Sequence, residues 1–125
     1  MLKDGDLLLL VHRRLFNHDH SRYFIGEVED YADGLVRVGG YSWLRDPLIP
    51  TGYRRKEDLR TKIFSLSSGT VICYVLDANC DPHDLKIFSD EEGDTFLAEG
   101  RRIIMDLTEK HLGVNHYINP DPDLT

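Results

Sequence analysis

Tyr23-Phe24-Ile25-Gly26-Glu27-Val28-Glu29-Asp30-Tyr31-Ala32-Asp33-Gly34-Leu35-Val36-Arg37-Val38 is the stretch whose reading decides the fold class. Apolar and polar residues alternate from Tyr23 to Ile25, lapse through Gly26 and Glu27, and resume at Val28. A two-residue period belongs to a strand with one face buried, and a glycine inside it marks a bulge or a bend. Asp33-Gly34 is a strong two-residue hairpin signal, and the alternation returns at once in Leu35 to Val38. Two antiparallel strands joined by a tight turn therefore form the centre of the chain.

Working outward, residues 7–16 are rich in Leu and Val and lie between the turn clusters Asp4-Gly5-Asp6 and Asn17-His18-Asp19-His20-Ser21. That is the pattern of a buried strand. Gly39-Gly40 makes a second bend, past which Tyr41 to Leu44 continues the third strand. Residues 46–58 hold Pro47, Pro50 and Gly52 and read as a long loop. Strand character resumes over 59–66, Ser67-Ser68-Gly69 turns the chain, and 70–76 is its most β-prone run. Five short strands by Leu76, joined mostly by tight turns, predict a mostly β fold: a small antiparallel SH3-like or Sm-like barrel.

Residues 77–84 read as a connector within one unit, and 77–113 as a C-terminal β or mixed extension. Residues 85–88, 95–98 and 101–105 fit strands. The same stretch fits a helix with Phe96, Gly100, Ile103, Ile104 and Leu107 on one face. Gly93 and Gly100 favour hairpins. Asp106, with Glu109 three residues later and Gly113 after Leu112, reads as a capped short helix. Residues 114–125, with Pro120 and Pro122, read as a loose tail. With 125 residues, 41% apolar and 30% charged, the whole fits one globular domain with a barrel core over 6–76.

Residues 23–76 resemble the Sm-like family of small β-barrels. Phe24-Ile25-Gly26-Glu27-Val28-Glu29-Asp30-Tyr31 is similar to the first half of that family's first motif, in which a glycine lets the second strand bend. Residues 63–76, with Ser67-Ser68-Gly69-Thr70-Val71-Ile72, are similar to its second motif, and 45–58 would be the variable loop between the two. The resemblance implies a bent barrel and, as a function, a ring that binds RNA. The turns that pinch RNA bases in the family hold Ala32-Asp33-Gly34 and Ser67-Ser68-Gly69 here, in place of an Asp with Met-Asn and of Arg-Gly. RNA binding is accordingly not the expectation, and residues 77–125 lie outside the resemblance.

Charge narrows the partners. The chain carries a net −7, with 11 basic and 10 acidic residues through Lys62 but 4 basic and 12 acidic after it. An acidic second half argues against a polyanion lying over that part of the surface. The exception is Arg54-Arg55-Lys56 with Arg60 and Lys62, which has Tyr53 and Trp43 nearby as stacking faces. A single-strand nucleic-acid surface looks like this; so does a solvated loop that guards an edge strand, and Glu57 and Asp58 partly neutralise it.

His18-Asp19-His20, with His12 on the preceding strand, is the candidate metal site, since imidazole and carboxylate ligands at that closeness suit zinc. His-Asp-His is also ordinary loop composition. Asp90-Glu91-Glu92-Gly93-Asp94 lacks the ligand spacing of a calcium loop and reads as a solvated hairpin tip. Ser65, Ser67 and Ser68 stand in no nucleophile pattern, and no phosphate-binding glycine loop occurs. No cofactor is expected. Cys73 in an apolar run and Cys80 in a polar turn read as free thiols, one buried and one on a loop, which favours a reducing compartment. No apolar run approaches the ~20 residues that cross a bilayer, and no secretory signal is evident, so a cytoplasmic location is expected. The function that fits best is a non-enzymatic binding or assembly module acting as a homo-oligomer, with a protein partner possible. The alternatives are a metal binder or metal-dependent enzyme using His12, His18, Asp19 and His20, and an RNA-binding ring.

Overall fold

A computed structural model describes residues 1–13 and 21–108, and every regular element in them is a strand. The nine are β1 (Leu7–His12), β2 (Arg22–Ala32), β3 (Leu35–Arg45), β4 (Tyr53–Arg55), β5 (Arg60–Ser65), β6 (Val71–Val75), β7 (Leu85–Ser89), β8 (Thr95–Glu99) and β9 (Arg102–Asp106). The hairpin read from Asp33-Gly34 joins β2 to β3, with φ of 52° and 79° at its two central residues. Positive φ at both positions is the mirror-image turn whose twist matches that of paired strands.

All pairings are antiparallel. The first sheet runs β4-β3-β2-β1-β6, and β5 also pairs with β3. Because β2 occupies one edge of β3 from Leu35 to Trp43, β4 and β5 share the other edge. The former takes Trp43 to Arg45, the latter Leu35 to Gly40. Strands β7, β8 and β9 form a second sheet.

The first sheet is strongly curled. Flat, β1 and β5 would stand three strand spacings apart, about 14 Å. The rings of His12 on β1 and Phe64 on β5 have centroids 6.4 Å apart, and those of Phe24 and Phe64 5.5 Å. The concave face holds Leu8, Leu10, Phe24, Val28, Val36, Val38 and Phe64 as one cluster. On the opposite face Leu7, Leu9, Val11, Tyr23 and Ile25 pack against Leu85, Ile87 and Leu97 of the second sheet. Thus β1 is covered on both faces, which is why its sequence is an unbroken apolar run. No ladder joins β5 to β6 among the described residues, so the curled sheet has two free ends rather than a closed cylinder.

The glycines of the central hairpin face each other. Gly26 of β2 is the register partner of Gly40 of β3. A Cβ on Gly26 would overlap the carbonyl oxygen of Gly39, and one on Gly40 the carbonyl oxygen of Ile25. Backbone therefore packs on backbone where side chains would hold the strands apart. The bulge itself falls further on, where the register shifts between Val28 and Asp30.

Several expectations change. A short strand, β4, lies inside the stretch 46–58 read as loop, so six strands precede Asp77 rather than five. Tyr53 drives it: the side chain is buried, edge-on to Tyr23 with ring centroids 5.6 Å apart. The helical reading of 85–106 gives way to β7, β8 and β9, with Leu85, Ile87 and Leu97 buried at alternate positions. The extension is therefore β as far as residue 106. The thiols exchange roles, since Cys80 is buried in the core between the sheets and Cys73 is half-buried on β6; both are free. β1 ends at His12, and the expected continuation to residue 16 lies, from residue 14, outside the described residues. So do residues 109–113 of the expected short helix and the tail 114–125. No helix among the described residues is long and apolar enough to cross a membrane.

Candidate functional site

The basic run of residues 54–62 does not form one surface. On β4, successive side chains point to opposite faces. Arg54 pairs with Asp46, Nε to Oδ2 at 3.1 Å. Arg55 lies over the ring of Tyr41, with its guanidinium carbon 4.3 Å from the centroid. Arg60 donates to the Asp58 carboxylate beside it. Lys56 and Lys62 turn elsewhere, into a cleft of about 230 Å³ at one end of the concave face.

Register builds that cleft. Arg22 is opposite His12 across β1 and β2, and Phe24 is opposite Ser42 across β2 and β3. Lys62 reaches in from β5: its Nζ donates to Ser42 Oγ at 3.2 Å and lies 5.1 Å from the centroid of the Phe24 ring. Lys56 arrives with its backbone N–H bonded to the Ser42 carbonyl at 2.8 Å. Buried Phe24 and Phe64 form the apolar floor. The walls therefore carry Arg22, Lys56, Lys62 and His12, and among the described residues no acidic side chain lines them.

The charges feel one another. Burial, then the nearby Arg22 and Lys62, pushes His12 below the usual imidazole range. Burial, followed by Arg22, Arg60 and Lys56, pulls Lys62 below an ordinary lysine, with Asp58 opposing weakly. Like charges gathered at a partly desolvated site make a positive potential that a solvated surface would dissipate.

A second cleft, of about 310 Å³, lies where the curled sheet meets the loop before β7. Tyr41, Trp43 and Ile25 give it apolar walls, Arg55 and Glu27 its charges, and His83 and Leu85 close the far side. At the β7–β8 turn, carboxylate oxygens of Asp90, Glu92 and Asp94 lie within 4.8 Å of one another. Asp90 Oδ1 accepts the backbone N–H groups of Glu92 and Asp94, both at 2.9 Å, so this carboxylate closes the turn. Ser65, Ser67 and Ser68 bond among themselves and to the turn backbone.

Of the residues singled out as metal ligands, His12 sits in the cationic cleft, while His18, Asp19 and His20 lie outside the described residues. Of the basic run, the fold unites Lys56 and Lys62 and disperses Arg54, Arg55 and Arg60. Sequence reasoning missed Arg22 and Ser42, which no local pattern marks; a period-2 face count along β2 that paired Arg22 with Phe24 was the available signal. No family model matches the chain, no curated protein matches it, and no solved structure matches it.

Proposed function

We propose that the chain is a non-enzymatic binding and assembly module of Sm-like or SH3-like type that associates with copies of itself. The observation that carries this reading is the pair of free sheet ends. Val71-Ile72-Cys73-Tyr74-Val75 of β6 contains no charge, proline or bulge, the devices that blunt an edge strand, and its outer edge pairs with nothing among the described residues. Val75 is 58% exposed, and Ile63 on β5, at the other end, 66%. The order β6-β1-β2-β3-β5 supports the barrel-type reading, because β6 and β5 then become complementary ends of one curved sheet. Pairing β6 of one copy with β5 of the next is a head-to-tail contact, which closes into a ring when the rotation permits.

Sedimentation of the full chain across micromolar concentrations tests this. The expected result is a species larger than the monomer. Val75→Lys, which places a charge on the free edge, should weaken association by on the order of tenfold or more. A monomer at every concentration, or a Val75→Lys variant that assembles like the parent, would overturn the reading.

A further inference from the structure

We propose that the cleft walled by His12, Arg22, Lys56 and Lys62 is an anion site that takes the phosphate group of a small ligand. Three observations point there together. Three cationic side chains and an imidazole converge from β1, β2, β5 and the chain after β4, and among the described residues the lining holds no carboxylate. A hydroxyl, Ser42 Oγ, is already engaged with Lys62 Nζ at 3.2 Å and has capacity for a further hydrogen bond. The floor is apolar and buried, which strengthens charge-assisted hydrogen bonds made above it.

Size and charge select the ligand. About 230 Å³ is below the range of about 300–1,000 Å³ for pockets that hold drug-sized molecules. It suits a compact anion with a short appendage. A carboxylate offers one charge and two oxygens in a plane. A phosphate offers up to two charges and oxygens directed tetrahedrally, which donors arriving from four segments can all reach. The contrast within the basic run supports the choice. Arg54 and Arg60 have protein carboxylates as partners, and Lys56 and Lys62 turn away from such partners into the cleft. This site is independent of the free sheet ends, so it stands or falls apart from self-association. It also lies ten residues along β2 from the turn at 32–34, which adjoins the turn at 67–69 through Leu66 N–H to Gly34 O at 2.8 Å.

His12 faces Arg22 across the β1–β2 ladder, Phe64 on β5 and Val71 on β6, so its ring lies at the wall of the cleft and reports on what enters it.

The test titrates full-length protein with inorganic phosphate, methyl phosphate, sodium sulfate, sodium chloride and a short oligouridylate, following the His12 ring resonances by NMR and heat by calorimetry. The expected result is saturable binding of phosphate or methyl phosphate with a His12 shift. The ratio of the two affinities tells whether the free ion or an ester is preferred. Lys62→Gln and Lys56→Gln should each weaken binding by roughly tenfold or more, the loss of one charge-assisted hydrogen bond, and Arg54→Gln should leave it unchanged. Lys56→Gln alters an exposed side chain, which guards against a folding defect in the Lys62 variant. Three results would overturn the proposal: chloride shifting His12 as phosphate does, cleft variants that bind normally, or binding of the oligouridylate alone.

Discussion

Two neighbouring strands, both almost wholly apolar, meet opposite fates. β1 is Leu-Leu-Leu-Leu-Val-His and β6 is Val-Ile-Cys-Tyr-Val, and they pair along five residues, with Leu8 directly across from Val75. Leu8 is completely buried, and Val75 is 58% exposed. The difference lies outside both strands. β1 has the concave cluster on one face and the second sheet on the other, with a strand on each edge. β6 stands at the end of the sheet, and the second sheet's core cluster takes none of its side chains. An apolar run therefore reports that a strand must be covered; it does not report what covers it. That uncovered strand is the observation on which the proposed self-association rests.

Truncating the two partners of this ladder gives the largest expected contrast. Leu8→Ala should cost about 2–5 kcal/mol of unfolding free energy, because it removes methyl groups from a closed cluster that cannot collapse fully. Val75→Ala should change it by no more than about 0.5 kcal/mol. Urea denaturation of both variants, at a protein concentration where the parent is a single species, checks this. Equal losses at the two positions would mean that β6 is covered after all, and the free-edge argument would go with it.

Gly26→Val comes next. A side chain there would meet the Gly39 backbone rather than a movable side chain, so the two central strands must separate to admit it. The expected cost is about 1–3 kcal/mol, read from the same denaturation curves. A neutral result would show that the close approach of β2 and β3 is dispensable to the curl that separates the fates of β1 and β6.

The parts of the fold that local chemistry dictates were legible in the sequence. Asp33-Gly34 fixes a hairpin by its own dihedral preferences, and Gly26 marks an irregularity in β2, although the structure puts a close backbone approach there and the bulge between Val28 and Asp30. The strand at Tyr53 was not legible, because one aromatic in a Pro- and Gly-containing loop has no period. Its place in the cluster between the sheets, edge-on to Tyr23 thirty positions earlier, makes it a core residue. Cys80 illustrates the same limit: a thiol in a polar turn is buried because the second sheet folds over it. The cationic cleft was half legible. Lys56 and Lys62 stood out within a dense basic run, but Arg22 and Ser42 join them only through the registers of β1, β2 and β3. Their grouping is a property of the sheet, and adjacency in sequence put Arg54 and Arg60 in the same set although the fold sends them to carboxylates.

The smallest effect is expected where the two strands end together, at His12 opposite Val71. Burial, with Arg22 and Lys62 beside it, holds the imidazole of folded His12 below its ordinary value, whereas the unfolded chain leaves it free of those neighbours. Between the two values the unfolded state binds more protons than the folded one, so stability rises with pH there. Expressed from the other side, the contribution is intact above the unfolded value of about 6.5 and is lost as pH falls from there toward the depressed folded value. Chloride buffers, free of phosphate, are needed so that no multivalent anion fills the cleft. The measurement is the urea midpoint of the parent and of His12→Gln over mildly acidic to neutral pH. His12→Gln removes the titrating group but keeps a polar side chain of similar reach. The parent's midpoint should decline on acidification more steeply than the variant's, and added phosphate should flatten that excess by supplying the charge the cleft lacks. Parallel curves for the two proteins would mean that His12 is as free to protonate as an exposed edge residue, and the end of β1 would then be no more enclosed than β6.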